Sequence, residues 1–226
     1  MKAVEHEVNK EKDFSPHERP SWIFRFFRPL IIWFFARICR WDVRGLENIP
    51  RQGPVIIASN HISNWDPLIV GCAVHRPVHF MAKMELFKIP ILGALLRNFG
   101  AFPVERGGTG RKALKKSIEL LAEDKVIGLF PEGTRSKTGT LGEGKSGVAL
   151  IAAKSGASIV PVGLYNTSQV FSRGRFNSFV VSFGKPLVIE TGAGEKISSQ
   201  KIQEITDQIM TSIAEQIEEG RKNHCA

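Results

Sequence analysis

Pro54-Val55-Ile56-Ile57-Ala58-Ser59-Asn60-His61-Ile62-Ser63-Asn64-Trp65-Asp66-Pro67 reads as a strand, a loop and the first turn of a helix in a single stretch. Val55–Ala58 is a short continuous apolar run, the mark of a buried strand. Ser59-Asn60 ends it in polar residues, so His61 falls on a loop at a sheet edge. Pro67 suits the first turn of a helix, with Asp66 as its cap. One loop then carries both a histidine and a carboxylate that can fold back onto it. Such a pair makes a general base: the aspartate fixes the tautomer and stabilises the imidazolium, and the other ring nitrogen takes a proton. A capping aspartate beside a structural histidine satisfies the same residues, and the pair alone leaves both readings open.

Outward from this stretch, strand and helix patterns alternate. Apolar runs at Val55–Ala58, Val78–Met81, Ala101–Val104, Val126–Phe130, Ser158–Leu164 and Phe179–Phe183 predict strands. Helical patterns fall at Pro67–Val74, Leu86–Asn98, Gly110–Asp124, Ser146–Lys154 and Ser198–Lys222. In the last, Ile202, Ile205, Ile209, Ile213 and Ile217 recur at spacings of three and four. The alternation predicts an α/β domain over 42–226, with a central mostly parallel or mixed sheet flanked by helices. Ligand sites in such sheets lie where loops leave the strand ends.

Ahead of that domain, residues 1–20 form a charged N-terminal tail unlike a signal peptide, with five acidic residues interleaved with basic ones. Residues 21–41, SWIFRFFRPLIIWFFARICRW, are unusual: Trp and Phe crowd the segment while Arg25, Arg28, Arg37 and Arg40 interrupt it. The uncharged run Pro29–Ala36 is far short of the ~20 residues that cross a bilayer. At about 100° per residue the arginines share roughly half of a helical wheel and aromatics fill much of the rest. This predicts an amphipathic helical anchor lying in the interface of an anionic membrane, bent near Pro29; packing on its own domain is the alternative. The net charge of +9 likewise asks for an anionic partner. Nucleic acid is disfavoured, because aromatics are not interleaved with the basic groups outside this segment and no nucleic-acid module is recognisable. Three scattered cysteines, Cys39, Cys72 and Cys225, suggest neither a disulfide framework nor a metal site and fit a reducing, cytoplasmic setting. His17, His61, His75, His79 and His224 lack a paired ligand pattern, so no metal is expected.

Three further loops carry chemistry. Pro131-Glu132-Gly133-Thr134-Arg135-Ser136 puts a carboxylate, a hydroxyl and a guanidinium on one turn; Glu105-Arg106-Gly107-Gly108 follows another strand; Lys83 ends a third. Each charge alone reads as a solvated loop residue, but Lys83, Arg106 and Arg135 after successive strands could converge on a phosphate. Gly139-Thr140-Leu141-Gly142-Glu143-Gly144-Lys145-Ser146 matches the phosphate loop of nucleotide hydrolases. Its context does not, since no buried strand leads directly into Gly139. Contact with anionic lipid or a carrier protein is open to the basic residues Arg111, Lys112, Lys115 and Lys116, beside a plain solvated helix face.

Asn60-His61-x4-Asp66, Gly100-Ala101-Phe102-Pro103-Val104-Glu105-Arg106, Phe130-Pro131-Glu132-Gly133-Thr134-Arg135-Ser136 and Ile159-Val160-Pro161-Val162 stand in that order. They resemble the four blocks of the glycerolipid acyltransferases, most closely the bacterial 1-acylglycerol-3-phosphate (lysophosphatidic acid) acyltransferases. The resemblance spans Arg44 to Lys185, and Glu105 departs from it, an aspartate being frequent there. It implies transfer of a fatty acyl group from acyl-CoA or acyl-ACP (acyl carrier protein) to the sn-2 hydroxyl of lysophosphatidic acid, giving phosphatidic acid, without a cofactor. His61 would be the base and Asp66 its orienting partner. Arg106 and the turn of Glu132, Gly133, Thr134 and Arg135 would hold the acceptor phosphate, with Lys83 as a third cation. It also implies a cell-membrane protein on the cytoplasmic face. No residue resembles an acyl-enzyme nucleophile: Cys72 lies in a predicted helix and Ser63 within the His61 loop. A ternary complex is therefore expected. The same chemistry on another lysophospholipid or on glycerol phosphate, a P-loop nucleotide hydrolase, and a non-catalytic lipid-surface protein remain the alternatives.

Overall fold

The computed structural model of the chain describes residues 21–104, 110–189 and 197–224; the charged tail 1–20 and Arg106 lie outside the described residues. Nine strands and six α-helices are described. They run in the order α1 (Trp22–Arg37), β1 (Asp42–Arg44), β2 (Val55–Ser59), α2 (Asp66–Ala73), β3 (Val78–Lys83), α3 (Pro90–Asn98), β4 (Phe102–Val104), α4 (Arg111–Ala122), β5 (Val126–Leu129), α5 (Gly147–Ser155), β6 (Ser158–Tyr165), β7 (Phe171–Ser172), β8 (Arg175–Phe176), β9 (Val180–Phe183) and α6 (Ser199–His224). Seven strands form one sheet in the order β1-β9-β6-β2-β5-β3-β4, and β7 and β8 pair separately as a hairpin. From β6 to β4 every pairing is parallel; β9 runs antiparallel to β6, and β1 is parallel to β9. The sheet is thus mixed and mostly parallel, as the alternation predicts.

Side chains alternate across the strands and so divide the core in two. Val55 and Ile57 of β2 face Ile32 and Phe35 of α1 and Ile69 and Val70 of α2. Ile56 and Ala58 face Leu121 of α4, Ala149 and Ala152 of α5, and Ile209 and Ile213 of α6. Helices on both sides bury β2 completely, which is why its sequence is an unbroken apolar run.

Two expectations need correction. The pattern Leu86–Asn98 is not one helix: a 3-10 turn, Met84–Lys88, precedes α3, and Ile89 between them is extended. Pro90 is the cause, because its ring disfavours helical geometry in the residue before it. The N-terminal segment also does not place all its arginines on a face opposed to the aromatics. Arg28 donates to the Val74 carbonyl (3.0 Å), while Phe24, Ile32 and Phe35 are buried against the domain. The helix runs on through Pro29. It still exposes Trp22, Phe26, Phe27, Leu30 and Trp33 on its other side. Among the described residues no helix is long and apolar enough to cross a membrane.

Candidate active site

Because β2, β5 and β3 are parallel neighbours, the loops that leave them share one edge. Ala58 is level with Leu129 and Phe80 with Gly128. His61 lies two residues past the end of β2, Glu132 three past the end of β5, and Lys83 is the last residue of β3. The His61 loop and the Glu132 turn are therefore brought together, with Lys83 at the same edge.

The two loops grip each other through backbone groups. The His61 N–H donates to Glu132 Oε1 (2.9 Å), and the His61 carbonyl accepts from the Ser136 N–H (2.7 Å). Glu132 Oε2 accepts from the Gly142 N–H (2.9 Å), and the Lys145 N–H donates to the Pro131 carbonyl (2.9 Å). The Gly139–Ser146 stretch that resembled a phosphate loop thus folds back onto the Glu132 turn and does not leave a strand. Gly133 is in the left-handed region (φ 70°), and a side chain there would strike the Lys145 ammonium lying over the turn. Glu132 is buried with both oxygens on backbone donors, so the structure makes it a brace for the histidine loop. Gly133, Thr134 and Arg135 are exposed at the turn, and Lys83 is exposed at the end of β3.

His61 Nδ1 lies 2.8 Å from Asp66 Oδ2, an oxygen that also accepts the N–H groups of Ile62 (2.8 Å) and Ser63 (2.7 Å). Asp66 Oδ1 accepts the Thr167 hydroxyl at 2.6 Å. Asp66 and Thr167 are wholly buried, and four donors are what a buried carboxylate requires. Asp66 is not a helix cap. The capping position belongs to Trp65, and the carboxylate turns back onto its own loop because that loop supplies three donors. An acceptor-only carboxylate needs Nδ1 to carry the proton, which leaves Nε2 as the basic atom of the ring. The imidazole is stacked on Phe130 (centroids 4.0 Å apart, 15° between planes), and Phe130 on Phe80 (5.7 Å, 20°). Asn60 ties the end of β2 to β6: its side chain donates to the Leu164 carbonyl (3.0 Å) and accepts the Leu164 N–H (2.7 Å).

Sequence reasoning missed Thr167 and Phe130. The apolar run Val126–Phe130 makes Phe130 the last residue of a strand, whereas β5 ends at Leu129 and Phe130 leads into the Glu132 turn. Thr167 sits two residues past β6, the parallel neighbour of β2, so a small polar residue after that strand was the available signal. Neither Cys72 nor Ser63 is available as a nucleophile. Cys72 is buried in α2, and burial pushes its thiol up to about 12, with Arg28 pulling partly back. Ser63 is buried, with its hydroxyl accepting from the Trp65 N–H (3.2 Å). No cluster of three or more metal-binding side chains occurs among the described residues.

A histidine–aspartate pair thus stands at the carboxyl edge of a mostly parallel sheet. Residues 40–165 match the family model described as Acyltransferase, more than half of the chain, and the chain belongs to the acyltransferase family. Its particular relatives are consistent with one another. The 1-acyl-sn-glycerol-3-phosphate acyltransferase of Borreliella burgdorferi is 35% identical over 173 residues, 76% of this chain and 67% of that one. The Bacillus subtilis protein of the same name is 34% identical over 150 residues, 64% of this chain and 72% of that one. The chloroplastic LPAT1 of Arabidopsis thaliana, again so named, is 30% identical over 91% of this chain, which spans only 56% of that protein. The fold resembles the crystal structure of the 1-acyl-sn-glycerophosphate (LPA) acyltransferase PlsC from Thermotoga maritima. The TM-score is 0.61 with 24% identity, covering 95% of this chain and 87% of that one.

Proposed function

We propose that this acyltransferase moves a fatty acyl group from a thioester, acyl-CoA or acyl carrier protein, to the sn-2 hydroxyl of 1-acylglycerol-3-phosphate, giving phosphatidic acid. The observation that carries the reading is the His61–Asp66 pair at 2.8 Å, held on a loop that the Glu132 turn braces from both sides. His61 Nε2 takes the acceptor's hydroxyl proton as its oxygen bonds to the thioester carbonyl carbon. The tetrahedral intermediate then expels the thiolate by breaking the C–S bond, and the imidazolium returns its proton to sulfur. Asp66 balances the imidazolium charge between the two steps. Lys83, Arg106 and Arg135 bind the acceptor phosphate, Arg135 on the exposed turn beside the Lys145 ammonium. The names of the relatives supply the acceptor.

The enzyme acts at the cytoplasmic face of the cell membrane, on an acceptor that resides there. Support comes from α1, which buries one side on the domain and leaves an exposed, mostly aromatic arc about 80° wide, at ~100° per residue, free of it. Trp22, Phe26, Leu30 and Trp33 populate that arc, and Ile91 and Leu95 of α3 are exposed nearby. The two helices are joined where the Ser21 hydroxyl donates to the Asn98 carbonyl (3.0 Å) and Phe24 meets Phe99 edge-on (5.1 Å). Exposed tryptophan and phenylalanine beside arginine are suited to the headgroup boundary of an anionic bilayer.

The test is product formation from lysophosphatidic acid and an acyl thioester in detergent micelles, wild type beside His61→Ala. Wild type should release thiol and form phosphatidic acid together, and the variant should lose both by ~10²–10⁴. Equal activity in the two proteins would remove His61 as the base. Inactivity in both with either donor would shift the acceptor to another lysophospholipid or to glycerol phosphate, which acceptor competition would identify.

A further inference from the structure

The hairpin β7–β8 stands outside the central sheet, and the acyl-transfer chemistry does not account for its tip. Phe171 pairs with Phe176 and Ser172 with Arg175, leaving Arg173-Gly174 as a two-residue turn. Both turn residues have positive φ, 52° and 73°, the geometry of a type I′ turn. Asparagine or glycine is the residue such a turn favours at its first position. An arginine held in the left-handed region there is a local strain that turn formation itself does not explain. The tip is open: Phe171 is 57% and Phe176 40% exposed, their rings 5.0 Å apart, with Arg173 and Arg175 exposed beside them. The stem is held firmly. Asn177 donates through its side chain to the Gln169 carbonyl (2.7 Å) and the Ser172 hydroxyl (3.0 Å), and its N–H donates to the buried Val170 (3.0 Å).

We infer that the Phe171–Phe176 hairpin is a second contact with an anionic lipid bilayer, beside α1. The inference rests on the membrane reading above and adds its orientation. Two aromatic rings flanked by two guanidinium groups fit one partner chemistry, apolar acyl boundary below and lipid phosphate above. The hairpin continues the apolar arc of α1, because Phe176 meets Phe34 edge-on at 5.1 Å. It also follows β6, whose carboxyl end lies on the His61 edge, with only Asn166, the turn Thr167–Gln169 and Val170 between. A helix lying alone on a surface can roll about its axis. A second contact to one side of it stops the roll and turns the His61 edge towards the lipid that holds the acceptor.

The experiment uses the full chain with Cys225→Ser, since Cys39 and Cys72 are buried, and an environment-sensitive fluorophore on Phe171→Cys or, separately, on Phe26→Cys of α1. Vesicles of phosphatidylcholine with about one third phosphatidylglycerol are added to each. Both labels should brighten and shift to the blue. Removing the tip charges with Arg173→Asn and Arg175→Gln should weaken vesicle binding about fivefold per arginine, an effect that high salt abolishes. The melting temperature of Phe171→Cys should match that of the parent chain, which shows that the variant is folded. A response at residue 26 with none at residue 171 would overturn the hairpin contact and leave the α1 reading standing. Silence at both positions would overturn the membrane reading itself, and the hairpin contact with it.

Discussion

Asp66 has four donors, and only Thr167 comes from outside its own loop. The orientation of the His61–Asp66 pair therefore depends on a residue 101 positions along the chain. Thr167→Val keeps the shape and removes the hydroxyl, leaving one buried carboxyl oxygen without its partner. The cost should be about 1–3 kcal/mol of stability. In kinetics kcat should fall about tenfold, on the scale of a misplaced general base, with KM little changed because the phosphate cations are untouched. Thr167→Ser restores the hydroxyl and should recover most of the rate. A raised KM with unchanged kcat would assign Thr167 to the acceptor site instead. The contrast between these residues shows what a sequence can disclose. His61 and Asp66 were legible because one short loop carries both. Thr167 was not, because its meeting with Asp66 depends on β6 lying beside β2, and no local pattern encodes that adjacency. The bracing contacts of Glu132 were not legible, since a carboxylate braced on backbone N–H groups and one facing a phosphate site have the same sequence.

At the scale of elements, the isoleucine rhythm of α6 announces the helix but not how closely it approaches the sheet. At Gly163 of β6 an added Cβ would lie 2.3 Å from backbone atoms of Gln216 and Ile217. Backbone cannot swing aside as a side chain can, so Gly163→Ala must push α6 off β6. Overpacking of this kind costs about 1–3 kcal/mol, and Tm should fall by about 3–10 °C. Gly147→Ala at the start of α5, where a Cβ meets nothing within 4 Å, should leave Tm unchanged or slightly higher. If calorimetry finds the two variants alike, the close approach of α6 is not a constraint. Long elements were read well because their apolar period is sustained. The strands β1, β7 and β8 are two or three residues long, too short for any period to register, and one proline divided what the pattern at Leu86–Asn98 presented as a single helix.

Across the whole molecule the alternation of patterns predicted a mostly parallel sheet, while the strand order and the reversal at β9 came only from tertiary packing. That packing also buries groups that titrate, and they bracket the pH range of full stability. His79 of β3 bonds through Nδ1 to the Gly100 carbonyl (2.7 Å) at the turn before β4. Burial lowers its pKa below the ordinary 6.5, Lys125 and Lys116 push the same way, and the Gly100 bond and Glu123 oppose. Below pH 6.5 the unfolded chain takes up a proton that folded His79 refuses, so stability falls as pH drops from that value towards the folded pKa. Cys72 acts at the other end. Its thiol stays protonated in the fold up to about 12 while the unfolded thiol ionises near 9.0, so stability falls as pH rises from 9.0 towards 12. Tm measured against pH should therefore show a plateau between these limits. His79→Gln, which keeps a donor for Gly100, should flatten the acid side below pH 6.5 and leave the alkaline side alone. Cys72→Ala should do the reverse, at a lower plateau because of the cavity it opens. An acid limb unchanged in His79→Gln would mean that some other group, not the histidine in β3, sets the acid limit of the fold.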